Sequence, residues 1–153
     1  MQTVLIAADH AGFDTKEYLK KALEAEGYSF KDFGTFSADG MDYADVVHPL
    51  AREIDAGNYP MGIVICGSGN GVNMTANKYL HVRSALCWQP EIAALARQHN
   101  DANVLAIPAR FVSEQMALQM ATIFLTTKFE GGRHSRRVEK IGKIDKMGEI
   151  VNK

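Results

Sequence analysis

The chain has 153 residues, with 17 Lys and Arg against 18 Asp and Glu, a formal net charge of −1 and 46% hydrophobic residues. That length suits one domain with a sizeable core, and the near-neutral balance excludes the strong field that draws a protein to nucleic acid or to an anionic membrane. No apolar run approaches the ~18 residues of a membrane span, and the chain opens on a strand-like run rather than a secretory leader. A single cytoplasmic domain over residues 1–153 is expected.

The pattern alternates strand and helix throughout. Thr3–Ala8 is almost continuously apolar, as a strand buried on both faces must be. Residues 14–26 carry Tyr18, Leu19, Ala22 and Leu23 at helical spacing. A second strand is predicted over 29–33 and a helix over 44–56. The third strand, 61–66, ends in Cys66 and runs into a glycine loop and a helix over 72–80. A fourth strand is predicted over 82–87, then a helix over 90–98 with Pro90 in its first turn. A fifth strand, 103–107, precedes a helix over 113–127. A final polar helix over 135–151 has a narrow stripe of Val138, Ile141, Ile144 and Met147, suited to packing on a partner subunit. Five βα units predict a three-layer α/β/α sandwich around a Rossmann-like five-stranded parallel sheet, with an extra C-terminal helix.

Ligands of such sheets bind beyond the carboxyl ends of the strands. That edge gathers Asp9 and His10 after the first strand, Cys66–Gly71 after the third, Gln89 after the fourth and Arg110 after the fifth. Asp42 and Tyr43 precede the second helix at the same end. The loop Cys66-Gly67-Ser68-Gly69-Asn70-Gly71 has neither the Lys-Ser/Thr pair of a Walker loop nor the G-x-G-x-x-G spacing of a dinucleotide fold. Its three glycines fit a tight strand-to-helix turn that aims backbone N–H groups at an anion. Cys66 is either a small buried hydrophobe or a partly ionised thiol at that turn. The two cysteines, Cys66 and Cys87, are expected as reduced thiols.

Three other clusters offer chemistry. His99-Asn100-Asp101 ends the fourth helix, so His99 is either a dipole-stabilised surface histidine or a proton carrier near working pH. Arg133 and Arg137 stand one helical turn apart and can grip one phosphate, unless they are a solvated basic face. Asp9 and His10 follow the first strand, where Asp9 can cap the next helix and His10 can be a surface turn residue. The histidines, at 10, 48, 81, 99 and 134, form no i, i+4 pair and no Cys/His spacing typical of zinc, so metal binding fits poorly.

Ala8-Asp9-His10-Ala11-Gly12, Asp42-Tyr43, Cys66–Gly71, Ala76-Asn77-Lys78, the run Arg97–Leu105 and Glu130-Gly131-Gly132-Arg133-His134 together resemble ribose-5-phosphate isomerase type B, in a family that includes galactose-6-phosphate isomerase subunits. The likeness covers about residues 3–144. It implies a cofactor-free aldose–ketose isomerase of a sugar phosphate, working as a homodimer or dimer of dimers with active sites completed across the subunit interface. By resemblance, His99 opens the sugar ring with help from Asp9, and Cys66 moves a proton between C1 and C2 through an enediolate. Ser68 and the N–H groups of Gly69, Asn70 and Gly71 stabilise the oxyanion beside Gly67. Asn100 and Tyr43 orient substrate, while His10, Arg110, Arg133 and Arg137 hold the phosphate. Base, ring-opening acid, oxyanion site and phosphate clamp are expected at one sheet edge.

The chain has Val72 where one branch of the family has Glu, and together with Cys66 this makes it resemble the cysteine-base branch. Ser68 stands where Thr is common and Ala44 where Pro is frequent. Trp88-Gln89 is bulkier than usual near the pocket mouth. The expected substrate is ribose 5-phosphate. A six-carbon aldose phosphate, a non-catalytic sugar-phosphate-binding module and a thiol-redox protein are the competing readings.

Overall fold

The structure is a computed structural model that describes residues 2–145 and 147–151. Five parallel strands, β1 (Thr3–Ala8), β2 (Ser29–Asp32), β3 (Gly62–Cys66), β4 (Ser84–Leu86) and β5 (Val104–Pro108), form one sheet in the order β2-β1-β3-β5-β4. Between and after them lie α1 (Phe13–Glu24), α2 (Tyr43–Asp55), α3 (Asn70–Ala76), α4 (Pro90–Asn100), α5 (Glu114–Thr126) and α6 (Arg133–Ile141). No helix among the described residues is long and apolar enough to cross a membrane.

The continuous apolar strands are explained by two cores. Val4, Ile6, Ala8, Ile63, Ile65, Leu105 and Ile107 join one buried cluster with Leu19 and Leu23 of α1, Ala93 of α4 and Met120 and Phe124 of α5. The alternate residues Leu5, Ala7, Val64, Cys66, Val104 and Ala106 join the other, with Val47, Leu50 and Ile54 of α2 and Val72 and Ala76 of α3. Side chains of a strand alternate between faces, so a strand covered on both sides has no polar position to spare. The strand order reverses between β1 and β3, which opens a crevice beyond their carboxyl ends.

Three predicted elements are shorter than their sequence pattern. Instead of running to Leu80, α3 ends at Ala76, where Asn77 Oδ1 accepts from the backbone of Ser84 at 2.8 Å and Asn77 Nδ2 donates back to it at 2.9 Å. That clamp also trims β4 to Ser84–Leu86. The last helix starts at Arg133 and stops at Ile141, ten residues before the predicted end is reached at Val151. Beyond it, Asp145 Oδ1 accepts from the amides of Met147 and Glu149, both at 2.9 Å, and Ile144 pairs with Ile150 in an antiparallel bridge. A carboxylate that captures nearby amides competes directly with helix continuation.

Candidate active site

At the carboxyl edge, Asp9, His10, Tyr43, Cys66, Gly67, Ser68, Gly71, Arg110 and Phe111 line a cleft of about 490 Å³. It sits at the switch point between β1 and β3. Asp9 is buried and its Oδ1 accepts from the amides of Ala11 (2.9 Å) and Gly12 (3.1 Å), so it caps the turn after β1. The cap fixes the carboxylate at the cleft, and one oxygen takes both amides. His10 Nδ1 accepts from the Met41 amide at 3.3 Å, which leaves the ring proton of the neutral imidazole on Nε2 as a donor. The Met41 contact is a loop feature that no sequence pattern flagged, and the same holds for Phe111 in the cleft wall.

The glycine loop serves two different needs. Gly69 has φ +76°, and a Cβ there would overlap Leu86 Cδ1 and stand 3.2 Å from the Pro108 nitrogen. Gly71 has no such φ; it is bare because the Tyr43 ring lies where its Cβ would be. Tyr43 is thereby laid over the start of α3. Ser68 is exposed, and its Oγ accepts from the Asn70 amide at 3.3 Å. Ser68 and Asn70 also line an adjoining cleft with Leu86, Trp88, Pro108 and Phe111. The Arg110 amide donates to the Gly67 carbonyl at 3.0 Å, which ties the end of β5 to the loop.

Cys66 ends β3 and is 5% exposed at the cleft floor. Cys87 is fully buried, and desolvation pushes its thiol up to about 12, so it stays protonated. Both cysteines are free. They belong to the two opposite cores, and β5 separates their strands, so the pair is not arranged for thiol exchange.

The remaining predicted residues are not at this edge. Because α4 runs between parallel β4 and β5, it starts at the carboxyl edge and ends at the amino edge, carrying His99 and Asn100 there. Asn100 lines a separate cleft of about 680 Å³ with Asn77, Arg83 and Ser84 at the start of β4 and with Leu80, Ile141 and Ile144. A five-residue strand is roughly 16 Å long, so His99 cannot touch the Cys66 cleft of its own chain. The expectation of one shared edge is therefore corrected: one chain holds two half-sites.

The second half-site is firmly built. Buried Arg97 binds the carbonyls of Thr127 (3.1 Å) and Ala102 (2.5 Å) and the Asp101 carboxylate (3.0 Å), which staples the end of α4 to the end of α5. The Glu130 amide donates to the Gln98 carbonyl at 3.1 Å. The rings of His99 and His134 stack, with centroids 4.2 Å apart and planes 11° apart. Glu130 Oε1 lies 3.8 Å from His99 Nε2 and 3.5 Å from His134 Nε2. Burial, then the charges of His99 and Arg133, lowers the His134 pKa from its ordinary value. Arg133 and Arg137 stand one turn apart on α6, next to this cluster.

The family model described as Ribose/Galactose Isomerase matches residues 4–141. Ribose-5-phosphate isomerase B of Escherichia coli is 37% identical over 145 residues, which are 95% of this chain and 97% of that protein. The crystal structure of a ribose 5-phosphate isomerase from Thermotoga maritima superposes with a TM-score of 0.91 at 40% identity, covering 94% of this chain and 99% of that one. Ribose-5-phosphate isomerase B from Mycoplasma genitalium, solved with bound ribulose-5-phosphate, has a TM-score of 0.88 at 39% identity over 92% of this chain and 93% of its own. With a matched model over nearly its whole length and relatives this similar end to end, the chain belongs to the ribose/galactose isomerase family.

Proposed function

We propose that this isomerase interconverts D-ribose 5-phosphate and D-ribulose 5-phosphate, and that each active site takes its two halves from two copies of the chain. The observation that carries the reading is the cleft where Cys66, Asp9, His10, Tyr43, Ser68 and Arg110 converge. The relative solved with ribulose-5-phosphate supports the substrate. Two copies are needed because His99, Asn100, Arg133 and Arg137 lie at the far edge of their own chain. The apolar side chains beside that half-site, Leu80, Ile141 and Ile144, are each about half exposed and are suited to burial against a second copy.

In this reading His99 of one subunit, with Asp9 of the other, transfers the protons that open the furanose ring. The Cys66 thiolate then takes the proton from C2 of the open aldose. Charge moves onto O1 as the enediolate forms, and the Ser68 hydroxyl with the N–H groups of Gly69 and Gly71 faces it, while the Asn70 N–H holds the Ser68 oxygen in place. Return of the proton to C1, with proton transfer from O2 to O1, gives the ketose. Arg110 and the His10 Nε2–H hold the phosphate with Arg133 and Arg137 of the other subunit, and Tyr43 and Asn100 orient the sugar hydroxyls. The phosphate clamp supplies remote binding energy that fixes C1 and C2 against Cys66.

Cys66→Ala removes the base and leaves the clamp. It is expected to lower kcat by at least ~10²-fold while ribose 5-phosphate still binds, as titration calorimetry would measure. Unchanged turnover would remove Cys66 from the mechanism. A panel of aldose phosphates, read by ketose formation, tests the substrate. Faster turnover of allose or galactose 6-phosphate than of ribose 5-phosphate would replace the five-carbon reading.

A further inference from the structure

We propose that His99, Glu130 and His134 form a binding site for a divalent transition-metal cation of the zinc type, and that a cation bound there takes His99 out of the isomerase reaction. The inhibitory half of this statement rests on His99 as the ring-opening residue; the site itself does not.

Two imidazoles and a carboxylate are a donor set that suits Zn²⁺, with room for a water or substrate oxygen as the fourth ligand. One donor atom from each of the three residues lies within 4.8 Å of the others. Tetrahedral bonds of ~2.0–2.2 Å put neighbouring donors about 3.4 Å apart. The separations from Glu130 Oε1, 3.5 Å to His134 Nε2 and 3.8 Å to His99 Nε2, are within a few tenths of that. The two rings are stacked, with their planes 11° apart. One ring must turn for both to reach one ion. His99, with a side chain 40% exposed, is free to do so, whereas His134 is held at 8%.

Two features set the character of the site. The His134 ring is buried and held beside Glu130, so the site has one fixed imidazole donor. Arg133 and Arg137 stand close by and oppose a cation, which makes binding reversible rather than structural. The sequence alone gives little sign of this cluster. Glu130 and His134 have i, i+4 spacing, but His99 reaches them through the Arg97 staple between the ends of α4 and α5 and the Glu130 amide bond to Gln98.

A cation on His99 occupies the lone pair that ring opening requires. Cys66 is the competing zinc ligand, since a thiol is softer than imidazole. The test therefore uses the metal-free full chain and three variants: Glu130→Gln, His99→Gln and Cys66→Ala. Zn²⁺ is measured by equilibrium dialysis, and Co²⁺ by its visible absorption. The expected result is one cation per chain in the wild type and in Cys66→Ala, weakened at least ~10-fold in Glu130→Gln and His99→Gln. Glu130 is half exposed, so its replacement spares the fold. Zn²⁺ should also inhibit ribose 5-phosphate turnover over the range in which it binds, with reversal by a chelator. In Glu130→Gln the inhibition, taken against that variant's own metal-free rate, should shift by the same factor. Absence of binding to the wild type, or binding lost in Cys66→Ala and kept in Glu130→Gln, would overturn the site. Binding at the three residues without inhibition would overturn the inhibitory role and count against His99 as ring opener. A protein that binds the cation but turns over no aldose phosphate would refute the proposed substrate reaction and leave the site standing.

Discussion

At the scale of single residues, the loop after β3 separates two reasons for a glycine. Gly69 is required by its φ of +76° and by Leu86 beneath it. Gly69→Ala forces a left-handed conformation that costs ~1–2 kcal/mol, plus the clash, so its urea midpoint should fall clearly. Gly71 yields to the Tyr43 ring, and that ring is 40% exposed and able to swing away. Gly71→Ala should therefore cost less than ~1 kcal/mol yet raise KM for ribose 5-phosphate, because it displaces Tyr43 from the orienting role proposed for it. Equal loss of stability in the two variants would contradict this division. The sequence offered the three glycines as one motif. It did not reveal that Tyr43, far away in the chain, is what keeps Gly71 bare. Asp9 illustrates the converse: its position after β1 suggested a cap and the family resemblance a part in ring opening, and the capping bonds to Ala11 and Gly12 are what hold the carboxylate in the cleft.

At the scale of elements, β2 is anchored by a charge cluster that the strand pattern does not disclose. Lys16 of α1 is fully buried, and its Nζ binds Asp32 at 2.5 Å and Glu17 at 2.7 Å; Lys20 Nζ reaches the same Asp32 oxygen at 2.9 Å. The other Asp32 oxygen accepts from the Gly34 amide at 2.8 Å, at the start of the loop that delivers Met41 to His10. Burial raises the Asp32 pKa, but the hydrogen bonds from Lys16, Lys20 and Gly34 outweigh it and hold the carboxyl below its ordinary value. A carboxyl whose folded pKa lies below its unfolded value stabilises the fold above about pH 4. That contribution is lost as pH falls through the folded pKa. The lowered His134 pKa acts in the same direction, from about pH 6.5 downward. Asp32→Asn should cost ~3 kcal/mol at neutral pH, since it leaves Lys16 buried with only Glu17. Urea midpoints between pH 5 and 3 should then fall less steeply in the variant than in the wild type; parallel slopes would refute the assignment. Strand and helix positions were legible because apolar periodicity records burial. Their ends were not, because Asn77 and Asp145 stop elements through hydrogen bonds that periodicity does not record.

At the scale of the whole molecule, the topology dictates where the proposed catalytic groups fall. Residues that follow strands reach the carboxyl edge, and the sequence located Asp9, Cys66 and Arg110 correctly on that rule. His99 and Asn100 end a helix, so the same rule sends them to the opposite edge, although their residue types alone suggested one cluster. In the proposed site, two copies of the chain reconcile these positions. The measurement that tests this most directly is subunit complementation between Cys66→Ala and His99→Ala, each inactive alone. In an isologous mixed dimer, one of the two sites combines an intact Cys66 with an intact His99. Half the dimers are mixed after random assembly, so co-expressed chains should recover about one quarter of wild-type turnover. Mixed chains no more active than either parent would contradict a site shared between subunits.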